Sequence, residues 1–304
     1  MRPIALTGAS GFLGGHLVDA FLAAGLPVRG VVRRPEKARG LTNRGVALAA
    51  ADLDDPEALT RGFTGADVVV ANAALGSYLG DLPDFVRANV VGTENTLRAA
   101  AAAGVSRVVL ISSTAVYRTR ICTRIDEDAE RYGPVRRRTW SDLTTDWRYA
   151  LTKHLAEERA WELARELGLG LTVLRPGPIY GSRDTRWTAR FLRAHARPLV
   201  VAPTVGVPMV HAGDVARVVV AAVDRAHLPG RAYNVAGPPT SVVRVLRTLT
   251  RLVGRGPLLI PIPMPVWVRY DTTAAERDLG FVVRPLDEGL QEVLVGAGGG
   301  AGAG

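Results

Sequence analysis

The sequence predicts an α/β chain built on a doubly wound parallel sheet, with a smaller C-terminal region added to it. Three observations predict this. Short apolar runs at residues 4–7, 28–32, 46–49, 67–71, 108–112 and 171–175 lack the polar alternation of half-exposed strands, so they read as strands buried on both faces. Amphipathic segments with helical spacing, such as 16–24 and 90–103, lie between them, and strands alternating with helices close into a parallel sheet. The first strand runs straight into Gly8-Ala-Ser-Gly11-Phe-Leu-Gly14, which opens the first helix.

The texture changes after Pro176. Residues 176–208 hold five prolines and several arginines, which suits a segment covering a ligand better than a further strand–helix repeat. A helix is predicted at 215–223 and a strand at 231–236 that rejoins the sheet. A helix at 242–252, a stretch punctuated by Pro257, Pro261, Pro263 and Pro265, and a last helix at 286–294 follow. The expected organisation is a dinucleotide-binding domain at 1–175 to which 209–237 return, and a substrate-binding region made of 176–208 and 238–295. Residues 296–304 are only Gly and Ala and are expected to be a disordered tail.

Composition narrows the function classes. An apolar content of 47% with 22% charged residues over 304 positions fits a soluble globular enzyme and excludes a disordered chain. No stretch approaches the roughly 18 unbroken apolar residues of a membrane span, and the first strand begins at once, so no membrane partner and a cytoplasmic location are expected. The single cysteine, Cys122, excludes an internal disulfide and a cysteine-cluster metal site, and no metal is expected. The net charge of +9 is spread along the chain without a recognition motif, apart from Arg136, Arg137 and Arg138 beside Trp140, so no nucleic-acid partner is expected.

The glycine turn places a helix N-terminus where it can face a pyrophosphate. In Tyr149-Ala-Leu-Thr-Lys153 the two polar side chains are four residues apart on a predicted helix and project from one face. An ammonium close to a phenol favours the phenolate and lowers a pKa that starts near ~10, so Tyr149 can serve as acid and base with Lys153 tuning it. Ser113 ends the strand at 108–112, on the carboxyl edge where ligands of doubly wound sheets lie, and can hold a substrate oxygen. An acidic residue roughly 20 positions past the glycine turn would bind the ribose hydroxyls of NAD. This chain has Val32 there, followed by Arg33 and Arg34. Arginine pairs with a 2′-phosphate, so NADP(H) is expected rather than NAD. Arg29 is a weaker candidate because strand alternation turns it to the face opposite Val28 and Gly30, and Arg34 or Lys37 could assist from the loop.

These segments resemble the extended short-chain dehydrogenase/reductases, the epimerase/dehydratase-like family, along nearly the whole chain. The resemblance rests on Thr7-Gly-Ala-Ser-Gly-Phe-Leu-Gly14, Asp52-Leu53, Ala71-Asn-Ala-Ala74, Asn89-Val-Val-Gly-Thr-Glu-Asn95, Ser112-Ser113, Tyr149-xxx-Lys153, Leu174-Arg-Pro-Gly-Pro-Ile-Tyr-Gly181, Val210-His-Ala-Gly-Asp214 and Tyr233-Asn-Val-Ala-Gly237. It implies a Rossmann fold with a catalytic set of Ser113, Tyr149 and Lys153. It implies a cofactor held by Gly8, Ser10, Gly11, Phe12, Leu13 and Gly14 at the diphosphate. Asp52 and Leu53 would contact the adenine, Ala73 the ribose side, and Pro176 to Ile179 the nicotinamide flank. Lys153 would also hold the nicotinamide ribose, beside Tyr149. Such enzymes commonly form homodimers through the helices carrying Asn89 and Tyr149, and the stripe Val90, Leu97, Ala100, Ala101 is compatible with that.

The reading that follows is an NADP(H)-dependent oxidoreductase acting on a carbonyl, or the matching secondary alcohol, of a small molecule. Dehydratases of the family carry Asp-Glu after the catalytic hydroxyl residue, whereas Thr114 and Ala115 stand here. Nucleotide-sugar epimerases place an arginine shortly before the Val-His segment, whereas this chain has Gly206-Val-Pro-Met-Val210. The style of 28–33 is nearest to the dihydroflavonol reductase and hydroxysteroid dehydrogenase branches. An epimerase with bound NAD and a non-catalytic NADP(H)-sensing protein are the alternatives. Residues 119–140, with Trp147, Arg186 and Trp187, are candidates for a substrate wall, or for a solvated loop over packed aromatics. His211 and Asp214 read as a structural turn before a helix.

Overall fold

The structure is a computed structural model that describes residues 3–76, 80–118, 121–132, 146–225, 228 and 230–299. In chain order the elements begin with β1 (Ile4–Thr7), α1 (Phe12–Ala23), β2 (Val28–Val32), α2 (Arg39–Thr42), β3 (Ala47–Ala50), α3 (Pro56–Phe63) and β4 (Val68–Ala71). Next come α4 (Leu82–Phe85), α5 (Gly92–Ala102), β5 (Arg107–Ile111), β6 (Thr123–Ile125), α6 (Trp147–Leu167) and β7 (Gly170–Pro176). The remainder is β8 (Ile179–Tyr180), α7 (Trp187–His195), β9 (Leu199–Pro203), β10 (Val210–His211), α8 (Ala212–Asp224), β11 (Arg231–Val235), α9 (Val242–Val253), β12 (Leu258–Ile262), β13 (Val268–Tyr270), α10 (Thr273–Leu279) and α11 (Leu286–Gly299).

The chain divides into two compact units, one of Met1–Thr119, Glu127–Arg175 and Ala216–Tyr233, the other of Arg120–Asp126, Pro176–Val215 and Asn234–Gly304. The first unit holds a seven-stranded sheet in the order β11-β7-β5-β4-β1-β2-β3, parallel from β3 through β7. The order reverses at β1, which pairs Ile4 with Val28 on one side and with Val68 on the other. Burial explains why β1 and β4 read as unbroken apolar runs, since every residue of both is buried. On one layer of this unit Leu59, Phe63, Leu97, Leu163 and Leu171 are buried together, and each contributes roughly 1.5–3 kcal/mol relative to an exposed position.

Local signals set the helix ends that matter for the site. Asp55 caps α3 by accepting the Ala58 amide at 2.9 Å, with Pro56 in the first helical position. Asp146 caps α6 by accepting the Arg148 amide, and Gly168 ends that helix with φ 66°, a conformation open to glycine. The helix at 90–103 differs from its expectation, because Val86–Val91 form a π-turn and the regular α5 starts only at Gly92. Leu97 and Ala100, proposed for a dimer stripe, are fully buried in the core of a single chain.

In the second unit residues 176–208 do contain regular structure, β8, α7 and β9, but none of it joins the large sheet. Strand β9 pairs in parallel with β12, β8 with β10, and β6 with β13. The prolines at 257–265 punctuate β12 without abolishing it, because β12 has a single partner and its other edge needs no amide donor. The last helix continues to Gly299, into the Gly/Ala run expected to be disordered. Residues 300–304 lie outside the described residues, as do Arg136, Arg137, Arg138 and Trp140.

Candidate active site

The candidate residues of the first unit follow the carboxyl ends of five neighbouring strands: Gly8 after β1, Arg33 after β2, Asp52 after β3, Ala73 after β4 and Ser113 after β5. That edge, where strand order reverses, is where an open parallel sheet leaves a crevice. Gly8 has φ +67°, and a Cβ there would stand 2.9 Å from Ala73 Cα. A Cβ at Gly14 would collide with the Gly8 carbonyl oxygen. The turn is closed by the Gly11 amide donating to Gly8 O at 3.0 Å. No side chain caps α1, so its first-turn amides remain available to a diphosphate, and the helix dipole favours a negative group there. Ser10 and Gly11 are exposed on this turn and Phe12 is half-buried, while Leu13 and Gly14 pack inward. The residues therefore fit a dinucleotide.

Thr7 locks the turn to the next strand. Its Oγ1 accepts the amides of Asn72 and Ala73, each at 3.0 Å, and Asn72 Nδ2 donates to the carbonyls of Thr7 and Gly8 at 3.3 Å. Asn89, buried on the π-turn, accepts the Leu75 amide at 2.7 Å and donates to Leu75 O and to Thr152 Oγ1, both at 3.2 Å. Leu53 packs against Gly92, and its carbonyl accepts Asn95 Nδ2 at 2.8 Å, while Asp52 is exposed. Arg33, Arg34 and Lys37 are exposed on the loop after β2. Arg29 is used elsewhere, since its Nη1 donates to the carbonyls of Gly62 at 3.1 Å and Thr64 at 2.8 Å at the end of α3. Pro176 and Ile179 belong to the second unit.

Helix α6 meets the end of β5 through a row of side chains one turn apart, Tyr149, Lys153 and Glu157. Lys153 Nζ donates to Ile111 O at 2.8 Å, two residues before Ser113. Ser113 caps the turn that follows by accepting the Ala115 amide at 3.1 Å. Tyr149 is half-buried, with its ring edge to face against Phe85 at 6.4 Å between centroids. Burial lowers the Lys153 ammonium to about 8, an effect that Glu157 partly offsets. The unfolded chain keeps the ordinary value near ~10.4, so the folded protein binds fewer protons between those limits. Lys153 thus opposes folding fully below about 8 and progressively less as pH rises from there. In lysine-labelled protein we expect an NMR resonance titrating near 8 that is absent from Lys153→Met; titration of Lys153 above 10 would refute it.

Sequence reading assigned no role to Glu157 or Arg175, which form a buried ion pair beside these residues. Arg175 Nε donates to both carboxylate oxygens of Glu157, at 3.2 and 3.1 Å, and Nη1 donates to Tyr117 Oη at 2.6 Å and Glu127 O at 2.8 Å. Ser112 Oγ donates to Glu157 at 2.7 Å, and Arg131 stands 3.4 Å away. Burial alone would raise the Glu157 pKa, but Arg175, Ser112 and Arg131 overcome it and hold the carboxyl below its usual range. Burial likewise pushes the Tyr117 phenol well up despite Arg175. The available signals were an arginine ending an otherwise apolar strand and a glutamate on the helix face of Tyr149.

In the second unit His211 Nδ1 accepts the Gly213 amide at 3.1 Å, and Asp214 accepts Arg284 N at 3.0 Å and Nε at 2.7 Å. These contacts make 211–214 a structural turn. Arg186 is exposed and Trp187 packs on Phe191 within α7.

A family model described as the NAD dependent epimerase/dehydratase family matches residues 4–236. The chain belongs to that family. Among curated relatives, cinnamoyl-CoA reductase 1 of Petunia hybrida is 35% identical over 192 residues, covering 59% of this chain and 54% of its own length. A 4-hydroxy-2-methyl-3-oxo-4-farnesyl-3,4-dihydroquinoline-1-oxide ketoreductase of Stigmatella aurantiaca is 34% identical over 190 residues, covering 62% and 54%. These alignments span about half the length of those relatives. Cinnamoyl-CoA reductase 1 of Oryza sativa subsp. japonica is 29% identical over 96% of this chain and 89% of its own. Among solved structures, MoeE5 in complex with UDP-glucose and NAD has a TM-score of 0.79 at 25% identity, over 98% of this chain and 99% of that one. A UDP-glucose 4-epimerase from Thermotoga maritima has a TM-score of 0.81 at 23% identity over the same shares, a likeness of fold.

Proposed function

We propose that this protein is an NADP(H)-dependent reductase of a small carbonyl compound, working reversibly on the matching alcohol. One observation carries the reading: Lys153 donates to Ile111 O at 2.8 Å, fixing the helix that bears Tyr149 to the strand end that bears Ser113. When bound, the nicotinamide supplies or accepts the hydride. Tyr149 donates its hydroxyl proton to the carbonyl oxygen as charge develops there, and Ser113 Oγ orients that oxygen. The buried Lys153 ammonium lowers the cost of the phenolate, and its carbonyl contact holds it on the face that Tyr149 shares. The reductase and ketoreductase names of the curated relatives agree with this direction of chemistry.

Cofactor choice follows from Arg33 and Arg34, exposed after β2 where an acid would serve NAD. Arg33→Ala is expected to weaken NADP(H) binding by about tenfold to hundredfold, the worth of a charged hydrogen bond, and to leave NADH binding unchanged. Titration of the four nicotinamide nucleotides against wild type and variant checks this. NAD retained through purification would overturn it and favour the second reading, epimerisation of a nucleotide sugar, for which MoeE5 in complex with UDP-glucose and NAD is the supporting likeness.

A further inference from the structure

We propose that the paired strands β9 and β12 form a docking surface for an anionic lipid bilayer. The parallel pair is covered on one face only. Val200 and Leu259 turn inward against Phe191, Leu246 and Leu249, whereas Leu199, Val201, Leu258, Ile260 and Ile262 turn outward and are between 46% and 67% exposed. The register sets Leu258 beside Leu199 and Ile260 beside Val201, so the outward residues form two adjoining apolar rows. Parallel strands are ordinarily buried on both faces, and a contiguous aliphatic patch on a soluble surface marks a contact.

Charge identifies the partner. Residues 185–213 and 235–270, which contain α7, β9, α9 and β12, include no Asp or Glu. They carry Arg186, Arg190, Arg193, Arg197, Arg244, Arg247, Arg251, Arg255 and Arg269, all exposed and, among the described residues, none in an ion pair. Arg197 and Arg255 stand just ahead of the two strands, and Arg244, Arg247 and Arg251 line a cavity with Pro261 and Pro263, where Asp287 is the carboxylate among the described lining residues. Aliphatic rows that begin just past Arg197 and Arg255, with Arg244, Arg247 and Arg251 beside Pro261 and Pro263 at the end of the second strand, match acyl chains beneath phosphate headgroups. A nucleic acid would leave the aliphatic rows uncovered, and a second copy would bring the same nine charges together. The absence of a spanning helix among the described residues is compatible with a protein that lies on a bilayer.

Co-sedimentation of the full chain with vesicles tests this. Binding is expected to vesicles of phosphatidylcholine with phosphatidylserine, not to phosphatidylcholine alone, and is expected to fall as salt is added. Ile260→Asp and the pair Arg197→Glu with Arg255→Glu should each lower partitioning by about tenfold or more, at roughly fivefold per arginine. Circular dichroism keeps misfolded variants out, and the lipid and salt comparisons need no variant. No binding to the anionic vesicles would overturn the proposal. So would self-association in vesicle-free solution that Ile260→Asp abolishes, or tighter binding of duplex DNA that Ile260→Asp leaves untouched.

Discussion

Tyr149→Phe is expected to lower kcat for carbonyl reduction by roughly 10²–10⁴, the usual contribution of a positioned general acid. Nucleotide binding should persist, because the glycine turn and Arg33 are untouched. The ring contact with Phe85 survives the change, so thermal stability should move little. Reduction rates and NADPH titration measured on the same preparation separate the two effects. A variant that keeps its kcat would show that another group delivers the proton. Loss of turnover together with loss of binding would point to damage at the crevice instead.

Glu157→Gln should destabilise the first unit by about 3–5 kcal/mol, because it leaves the Arg175 guanidinium buried without its carboxylate. Urea unfolding measures it. Replacing both partners, Glu157→Leu with Arg175→Met, should recover most of the loss, since paired removal leaves no stranded charge. If the double variant is as unstable as the single one, the two residues do not act as a pair. The sign with pH follows from the lowered Glu157 pKa. Its contribution is complete above the unfolded carboxyl value near ~4.3 and is lost as pH falls through the lower folded value.

The parts of the fold legible in the sequence are those in which one physical pressure dominates. β1, β2 and β4 lie in the interior of a buried parallel sheet, so their apolar runs needed no other context. β9 and β12 were hidden because an exposed apolar face and four prolines read as loop, and only the pairing of Leu199 with Leu258 reveals them. Gly8 and Gly14 were legible because close backbone approach demands glycine. Glu157 and Arg175 were not, because a charged residue on a helix reads as solvated until its partner from another strand is known. Arg29 and Arg33 differ by four positions in sequence, yet one caps α3 and the other is exposed. The difference is one of position, since Arg29 lies within β2 beside the end of α3 whereas Arg33 follows the last residue of that strand.

The π-turn at Val86–Val91 sets this segment apart from the other helical segments among the described residues. A wide turn holds one residue more than a regular α-helix, and removing one residue would let it relax into ordinary helix. Each residue advances a helix by about 100°, and the wide turn takes up that advance, so Phe85 before it stays against Tyr149 while Asn89, inside it, is the residue whose contact with Leu75 depends on the extra length. A shortening that a surface loop absorbs would here cost the Asn89 contacts that tie Leu75, after β4, to Thr152 on α6.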